Sequence, residues 1–204
     1  MLFNDSYNQI ESIGTGVYKA LGSKFIAYPF LVYNKKEVDQ NLIKIKKKEK
    51  SANHYCYAYV LGADQSIFKS SDDGEPVSTA GKPILTQIQK NQLTNILIIV
   101  VRYFGGKKLG IPGLIRAYKG AALDCIQKST IINKKIKEQY QINFHYNEMN
   151  YVMSILKKYN IEIIYSDFKD ENSITINILQ KQSEDFFSVF KKNKNIKIKY
   201  KTIV

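Results

Sequence analysis

The chain has 204 residues, enough for one or two domains with a substantial core, and 44% of them are hydrophobic. Its formal net charge of +13 suits a polyanionic partner such as nucleic acid or the ribosome. Two cysteines are too few for a disulfide framework, MLFNDSYNQI carries no secretory signal, and the longest apolar run, ILIIVV, is far too short to span a bilayer. A soluble, cytoplasmic protein with reduced thiols and no membrane partner is therefore expected.

Residues 23–32 (SKFIAYPFLV) are β-rich and read as a strand, with Pro29 marking an edge or a bend. Residues 35–50 read as a helix with a sparse apolar stripe, Val38, Leu42 and Ile45, and its lysine run 44–50 reads as a solvated face. Residues 54–61 (HYCYAYVL) alternate as a strand. His54, Cys56 and Ala58 share one face, and Tyr55, Tyr57 and Tyr59 share the other.

An acidic turn follows: Asp72, Asp73, Gly74, Glu75, Pro76. Residues 81–92 read as a helix with Pro83 in its first turn and Ile84, Leu85 and Ile88 facing inward. Residues 94–104 are a central strand whose continuous β-branched run implies burial on both faces. Residues 112–128 form a helix with an apolar stripe of Leu114, Ile115, Tyr118, Ala121, Ala122, Cys125 and Ile126.

Composition breaks near residue 130. All eleven glycines lie at or before Gly120, and all four prolines at or before Pro112. Two domains are expected, 1–130 and 131–204, both of them basic. The second reads as strand 134–146, helix 147–159, strands 161–168 and 173–179 around a turn at 169–172, helix 183–192 capped by Ser183, and strand 195–203. That βαββαβ order is the ferredoxin-like split unit, so the fold class is α+β.

The basic residues number 31, yet only Arg102 and Arg116 are arginine. A lysine-rich, Asn-, Ile- and Tyr-rich composition is also what AT-rich coding produces. The two arginines therefore stand out, because a guanidinium meets planar needs that an ammonium cannot. The acidic turn has three readings: a partner for these arginines in a buried ionic network, a cap, or an oxygen site for a divalent ion. The network is favoured.

The loop GGKKLGIPG (Gly105, Gly106, Lys107, Lys108 onward) can turn backbone amides toward an anion ahead of a helix N-terminus, or it can be a tight turn needing positive φ. It matches no nucleotide fingerprint. Arg102, Gly105, Gly106, Lys107, Lys108 and Arg116 are the candidate anion- or RNA-binding residues. His54, Cys56, Asp72, Asp73 and Glu75 are candidate pocket-lining residues. No catalytic residue, metal or cofactor is assigned. Two ligands on one strand do not make a zinc site, and His145 reads as structural or exposed.

These same residues resemble the YigZ/IMPACT family. The resemblance rests on Gly74-Glu75-Pro76, Thr79-Ala80-Gly81, the spaced aliphatics Ile84, Leu85, Ile88 and Leu93, the run Ile99 through Gly106, Leu109-Gly110, and Arg116-Ala117-Tyr118. Ser23-Lys24-Phe25 and the H-x-C-x-A of His54, Cys56 and Ala58 also fit. Val77-Ser78 departs from a common serine-glycine pair, Pro112 from a common glycine, and Val60 from a usual basic residue.

The resemblance covers residues 15–128. It implies an N-terminal α/β domain like the second domain of a small-subunit ribosomal protein and domain IV of elongation factor G, followed by a ferredoxin-like domain. It links the family's eukaryotic members to translational control through an additional N-terminal domain. That domain is not expected here, because the motif region begins near the first residue.

The leading expectation is a non-enzymatic protein of translation or its regulation, with RNA or the ribosome as partner, contacting phosphate through Arg102, Arg116, Lys107 and Lys108. The alternative is a hydrolase or transferase acting on a small anionic substrate among His54, Cys56, Asp73, Glu75 and Arg102. The sequence leaves the oligomeric state open.

Overall fold

A computed structural model describes residues 5–168, 172–191 and 193–203. The elements in chain order are β1 (Ser6–Ser12), β2 (Gly16–Ala20), β3 (Ser23–Leu31), α1 (Lys35–Lys48), β4 (His54–Leu61), β5 (Ile67–Ser71), α2 (Gly81–Lys90), β6 (Ile96–Tyr103) and α3 (Gly110–Gln127). They continue with β7 (Thr130–Lys135), β8 (Lys137–Phe144), a 3-10 turn (Tyr146–Glu148), α4 (Met149–Lys158), β9 (Ile163–Asp167), β10 (Asn172–Leu179), α5 (Gln180–Ser188) and β11 (Ile196–Ile203). The fold is mixed α and β, with two larger sheets and five α-helices among the described residues.

Two compact units emerge. One is Tyr7–Lys134; the other begins at Lys135 and includes Asp5 and Ser6. The first is built on an antiparallel sheet in the order β2-β3-β6-β4-β5. Central β6 is buried along Ile96 to Arg102. Its even-numbered residues Ile96, Ile98 and Val100 meet Ile84 and Ile88 of α2 and Leu114, Ala117 and Tyr118 of α3. Its odd-numbered residues Leu97, Ile99 and Val101 join Val38 and Ile45 of α1. Both faces are covered, which is why the strand needs an unbroken apolar run rather than alternation.

Helix α1 starts where Asn34 accepts from the Glu37 amide while the Glu37 carboxylate accepts from the Tyr33 amide and the Asn34 side chain. This is a reciprocal capping arrangement. The lysine run lies mostly on the exposed face of its last turns, where cations complement the helix dipole. Beneath α1, Tyr57 and Tyr59 stack at 6.4 Å and Tyr55 donates to the Glu49 carbonyl, so the β4 tyrosines pack in the core. Pro29 falls where β2 no longer flanks β3.

Four strands lie outside the expected pattern: β1, β2, β5 and β7. Strands β5 and β7 are mostly exposed and carry no buried alternation. Strand β1 pairs with β7 in a two-stranded sheet and adds a parallel bridge from Asn8 to Leu93. Strand β2 returns into β3 through Leu21 and Gly22, both at positive φ (44° and 80°), the geometry of a two-residue hairpin turn.

The second unit holds a sheet in the order β11-β8-β10-β9, antiparallel throughout. Helices α4 and α5 supply Val152, Leu156 and Phe186, and Phe190 just past the end of α5 joins them, in the core that Ile142, Ile174, Ile176 and Ile178 build from the sheet. The last helix differs from expectation. It begins at Gln180, and Ser183 sits inside it with its hydroxyl donating back to the Gln180 carbonyl at 2.8 Å, so Ser183 is not the cap. The expected turn at 169–172 falls largely outside the described residues.

Candidate functional site

The acidic turn leaves β5 and re-enters the fold at α2, and each of its carboxylates is engaged. The Asp72 carboxylate accepts from the Ala80, Gly81 and Ser78 amides at 2.8–2.9 Å. It does the work of an N-cap from outside the helix, since Ala80 at the cap position has no side chain for it. Asp73 accepts from the Tyr55 amide at 2.7 Å. Its own carbonyl lies 2.8 Å from His54 Nδ1. The turn holds three residues at positive φ, Asp73 (42°), Gly74 (86°) and Ser78 (63°).

Glu75 points inward and is 8% exposed. Arg102 Nη1 donates to Glu75 Oε1 at 2.7 Å, and Tyr118 donates to the same oxygen at 2.8 Å. The Cys56 thiol donates to the Asp72 carbonyl at 2.9 Å and stands 3.3 Å from the Tyr118 hydroxyl. One buried network thus ties β4, the turn, β6 and α3 together. Both oxygens of the Asp72 carboxylate, and Oε1 of Glu75, are taken by protein donors.

Arg102 is 6% exposed. Its guanidinium lies 5.4 Å from the Phe25 ring centre and 5.4 Å from that of Phe104. The planar requirement is therefore met by aromatic faces and one charge-assisted hydrogen bond, not by a bidentate carboxylate. Its Nε has no hydrogen-bond partner. The guanidinium of Arg102, expected to meet phosphate, is enclosed and paired with Glu75.

Arg116 stands apart from this network. Two residues along a helix is about 200° of rotation, so with Tyr118 facing the core Arg116 faces outward. It is exposed and has no ion pair among the described residues. Only one of the two arginines joins the acidic turn.

The titration behaviour follows burial. Burial pushes the Cys56 thiol well above its usual range, outweighing the hydrogen bond with Tyr118, which pulls the other way. Burial, reinforced by Cys56 and Glu75, holds the Tyr118 phenol far above the ordinary tyrosine range. Cys125, elsewhere on α3, is pushed up to about 12, mainly by burial. A protonated, enclosed thiol is a poor nucleophile. Among the candidate pocket-lining residues, Cys56 and Glu75 are buried, and His54, Asp72 and Asp73 are half-buried and bonded to backbone.

The glycine loop is the exposed counterpart of this network. Residues 104–108 are all exposed. Gly105 packs against the β2–β3 turn so closely that a Cβ would lie 1.9 Å from the Gly22 carbonyl carbon. Its amide donates to Ser23 Oγ at 3.1 Å. Gly106 has φ of 83° with open space around it. Lys107 and Lys108 follow, and α3 begins at Gly110 with no side-chain hydrogen bond capping its first turn. The sequence pattern places Tyr118 in a core stripe and assigns no role at the site to Phe25 or Phe104. For Tyr118 the one available signal was its place in the Arg116-Ala117-Tyr118 motif.

His145, flanking the 3-10 turn of the second unit, is exposed. No helix among the described residues is long and apolar enough to cross a membrane.

Residues 21–126 match the Impact N-terminal domain family. An IMPACT family member of Haemophilus influenzae is 34% identical over 171 residues, covering 81% of this chain and 82% of that protein. The Bacillus subtilis member YvyE is 33% identical over 165 residues, 79% of this chain and 76% of its own. The Escherichia coli member YigZ is 35% identical over 127 residues, 61% of this chain and 62% of its own. A crystal structure described as that of a hypothetical protein superposes with a TM-score of 0.74 at 26% identity, covering 95% of this chain and 96% of that one. The segment that carries the buried network and the glycine loop is the matched segment, and the chain belongs to the IMPACT family.

Proposed function

We propose that this chain is an RNA-binding protein of translation or its regulation, acting on RNA free or within the ribosome, with the exposed Gly105–Lys108 bend as its phosphate contact. The observation that carries this reading is the combination at the bend. Two exposed lysines stand immediately before an 18-residue helix whose first-turn amides have no side-chain cap. Such amides and the helix dipole favour an anion, and lysine serves phosphate as a point charge. Arg116, exposed two turns into the same helix, adds a guanidinium to that surface. The buried Arg102–Glu75 network then holds the module that presents the bend, rather than touching ligand.

Two further readings accompany this one. We read the second unit, on its strand order, as a ferredoxin-like domain, and the first, on the family resemblance alone, as a ribosomal-protein-like module. The enzymatic alternative gains nothing from the geometry, because its thiol and the Glu75 carboxylate are buried and bonded and the half-buried Asp73 carboxylate is held by the Tyr55 amide.

Ultraviolet crosslinking of the intact chain to a ribosomal-RNA fragment, with the crosslinked peptides mapped, tests the proposal. Crosslinks concentrated on residues 104–116 are expected. Crosslinks spread evenly over lysines throughout the chain would reduce the interaction to bulk charge and overturn the assignment.

A further inference from the structure

Helices α2 and α3 lie side by side over one face of the five-stranded sheet, and their outer surfaces bound a groove of about 330 Å³. Its floor is Pro83, Gln87 and Ile115. Ile115, a large aliphatic residue of α3, is exposed, as is Ile111 one turn before it. Three lysines line the groove: Lys82 and Lys90 from α2 and Lys119 from α3. Lys82 and Lys90 are eight positions apart, about 12 Å along the helix. All three are exposed, none has an ion pair among the described residues, and no carboxylate lines the groove. Gln87 is 3% exposed and its amide nitrogen lacks a partner.

A groove of this make-up discriminates between anionic partners. Single-stranded nucleic acid is held by aromatic side chains on which bases stack, and among the described residues no aromatic side chain lines this groove. The Pro83 and Ile115 part of the floor gains nothing from a sugar–phosphate backbone. It does gain from leucine or isoleucine side chains. A lysine rim selects carboxylates flanking them. The volume is near the lower limit of about 300 Å³ for enclosed small-molecule pockets, whereas an open trough between two helices suits a third helix laid along it.

We propose that the α2–α3 groove docks an acidic amphipathic helix of a partner protein. Aliphatic residues at i, i+3 or i+4 and i+7 would seat over Pro83 and Ile115, and acidic residues about two turns apart would meet Lys82, Lys90 and Lys119. This site is separate in its residues from the bend assigned to RNA, so either assignment stands or falls alone.

The probe is a synthetic 16-residue amidated peptide with leucines at those spacings flanked by glutamates. Its controls are a peptide with every glutamate replaced by lysine and a single-stranded RNA oligonucleotide. Each is titrated into the isotopically labelled intact chain and followed by amide chemical shifts. The acidic peptide is expected to give saturable shifts confined to α2 and α3. The Lys82→Glu/Lys119→Glu variant, folded by its unchanged remaining spectrum, should bind it at least about tenfold more weakly, roughly 1.4 kcal/mol. Absence of saturable shifts, equal binding of the lysine peptide, or an undiminished affinity of the variant overturns the proposal. So does RNA, rather than the acidic peptide, perturbing Lys82, Thr86 and Lys90.

Discussion

At the scale of single residues, one oxygen atom explains much of the motif region. Glu75 Oε1 accepts from both Arg102 and Tyr118, and both donors are buried. Removing one partner of such a pair leaves an uncompensated buried charge and costs about 3–5 kcal/mol. Arg102→Met is therefore expected to lose about that much in urea unfolding, while Arg102→Met/Glu75→Gln, which removes both charges, recovers part of it. A loss below about 1 kcal/mol for the single variant would show that the pair is dispensable.

The thiols give a pH prediction. Cys125 has its pKa raised from 9.0 to about 12 in the folded chain. Below pH 9 the thiol is protonated in both states and its contribution is fully present. As pH rises from 9 toward 12 the unfolded chain releases the proton and the folded chain does not, so stability falls across that window. Unfolding midpoints measured from pH 8 to 11 should decline, and Cys125→Ala should flatten the decline. Native Cys56 and Cys125 should also resist a disulfide thiol reagent until the chain unfolds, since both are buried.

At the scale of elements, α2 depends on a residue outside it. Three amides at its start converge on Asp72, so Asp72→Ala strips a cap whose loss typically costs about 0.5–2 kcal/mol. Ser78 works in the opposite direction. It adopts φ of 63°, a left-handed conformation that costs a residue with a Cβ about 1–2 kcal/mol, at the position where the family resemblance places a glycine. Ser78→Gly should raise the thermal midpoint; a lowered midpoint would mean the serine side chain does more there than the backbone strain costs.

The same scale shows what pattern alone can reveal. Strand β6 and helices α2 and α3 were legible because burial on defined faces imposes apolar runs and stripes. Strands β5 and β7 were not, because an exposed strand held by backbone hydrogen bonds leaves little trace in side-chain choice. The candidate site was half legible. The scarcity of arginine leads to the expectation that both arginines meet the acidic turn, and among the described residues only Arg102 does. That choice depends on helical phase: Tyr118 turns to the core and carries Arg116 away from it.

At the scale of the whole molecule, positive charge is spread over both units, so net charge alone assigns no binding face. The family match covers residues 21–126, and the likeness to a solved structure at TM-score 0.74 extends over 95% of the chain. What separates a specific phosphate contact from general basicity is how strongly affinity responds when two particular lysines are removed. Counterion release makes log affinity fall linearly with log salt, at a slope of about 0.7 per phosphate contacted on a single strand.

The central claim is tested most directly by the salt dependence of RNA binding, measured by fluorescence anisotropy on the intact chain and on Lys107→Ala/Lys108→Ala. The account predicts measurable binding at low salt and a slope shallower by about 1 to 2 in the variant. No binding at low salt, or the same slope and affinity after both lysines are gone, would contradict it.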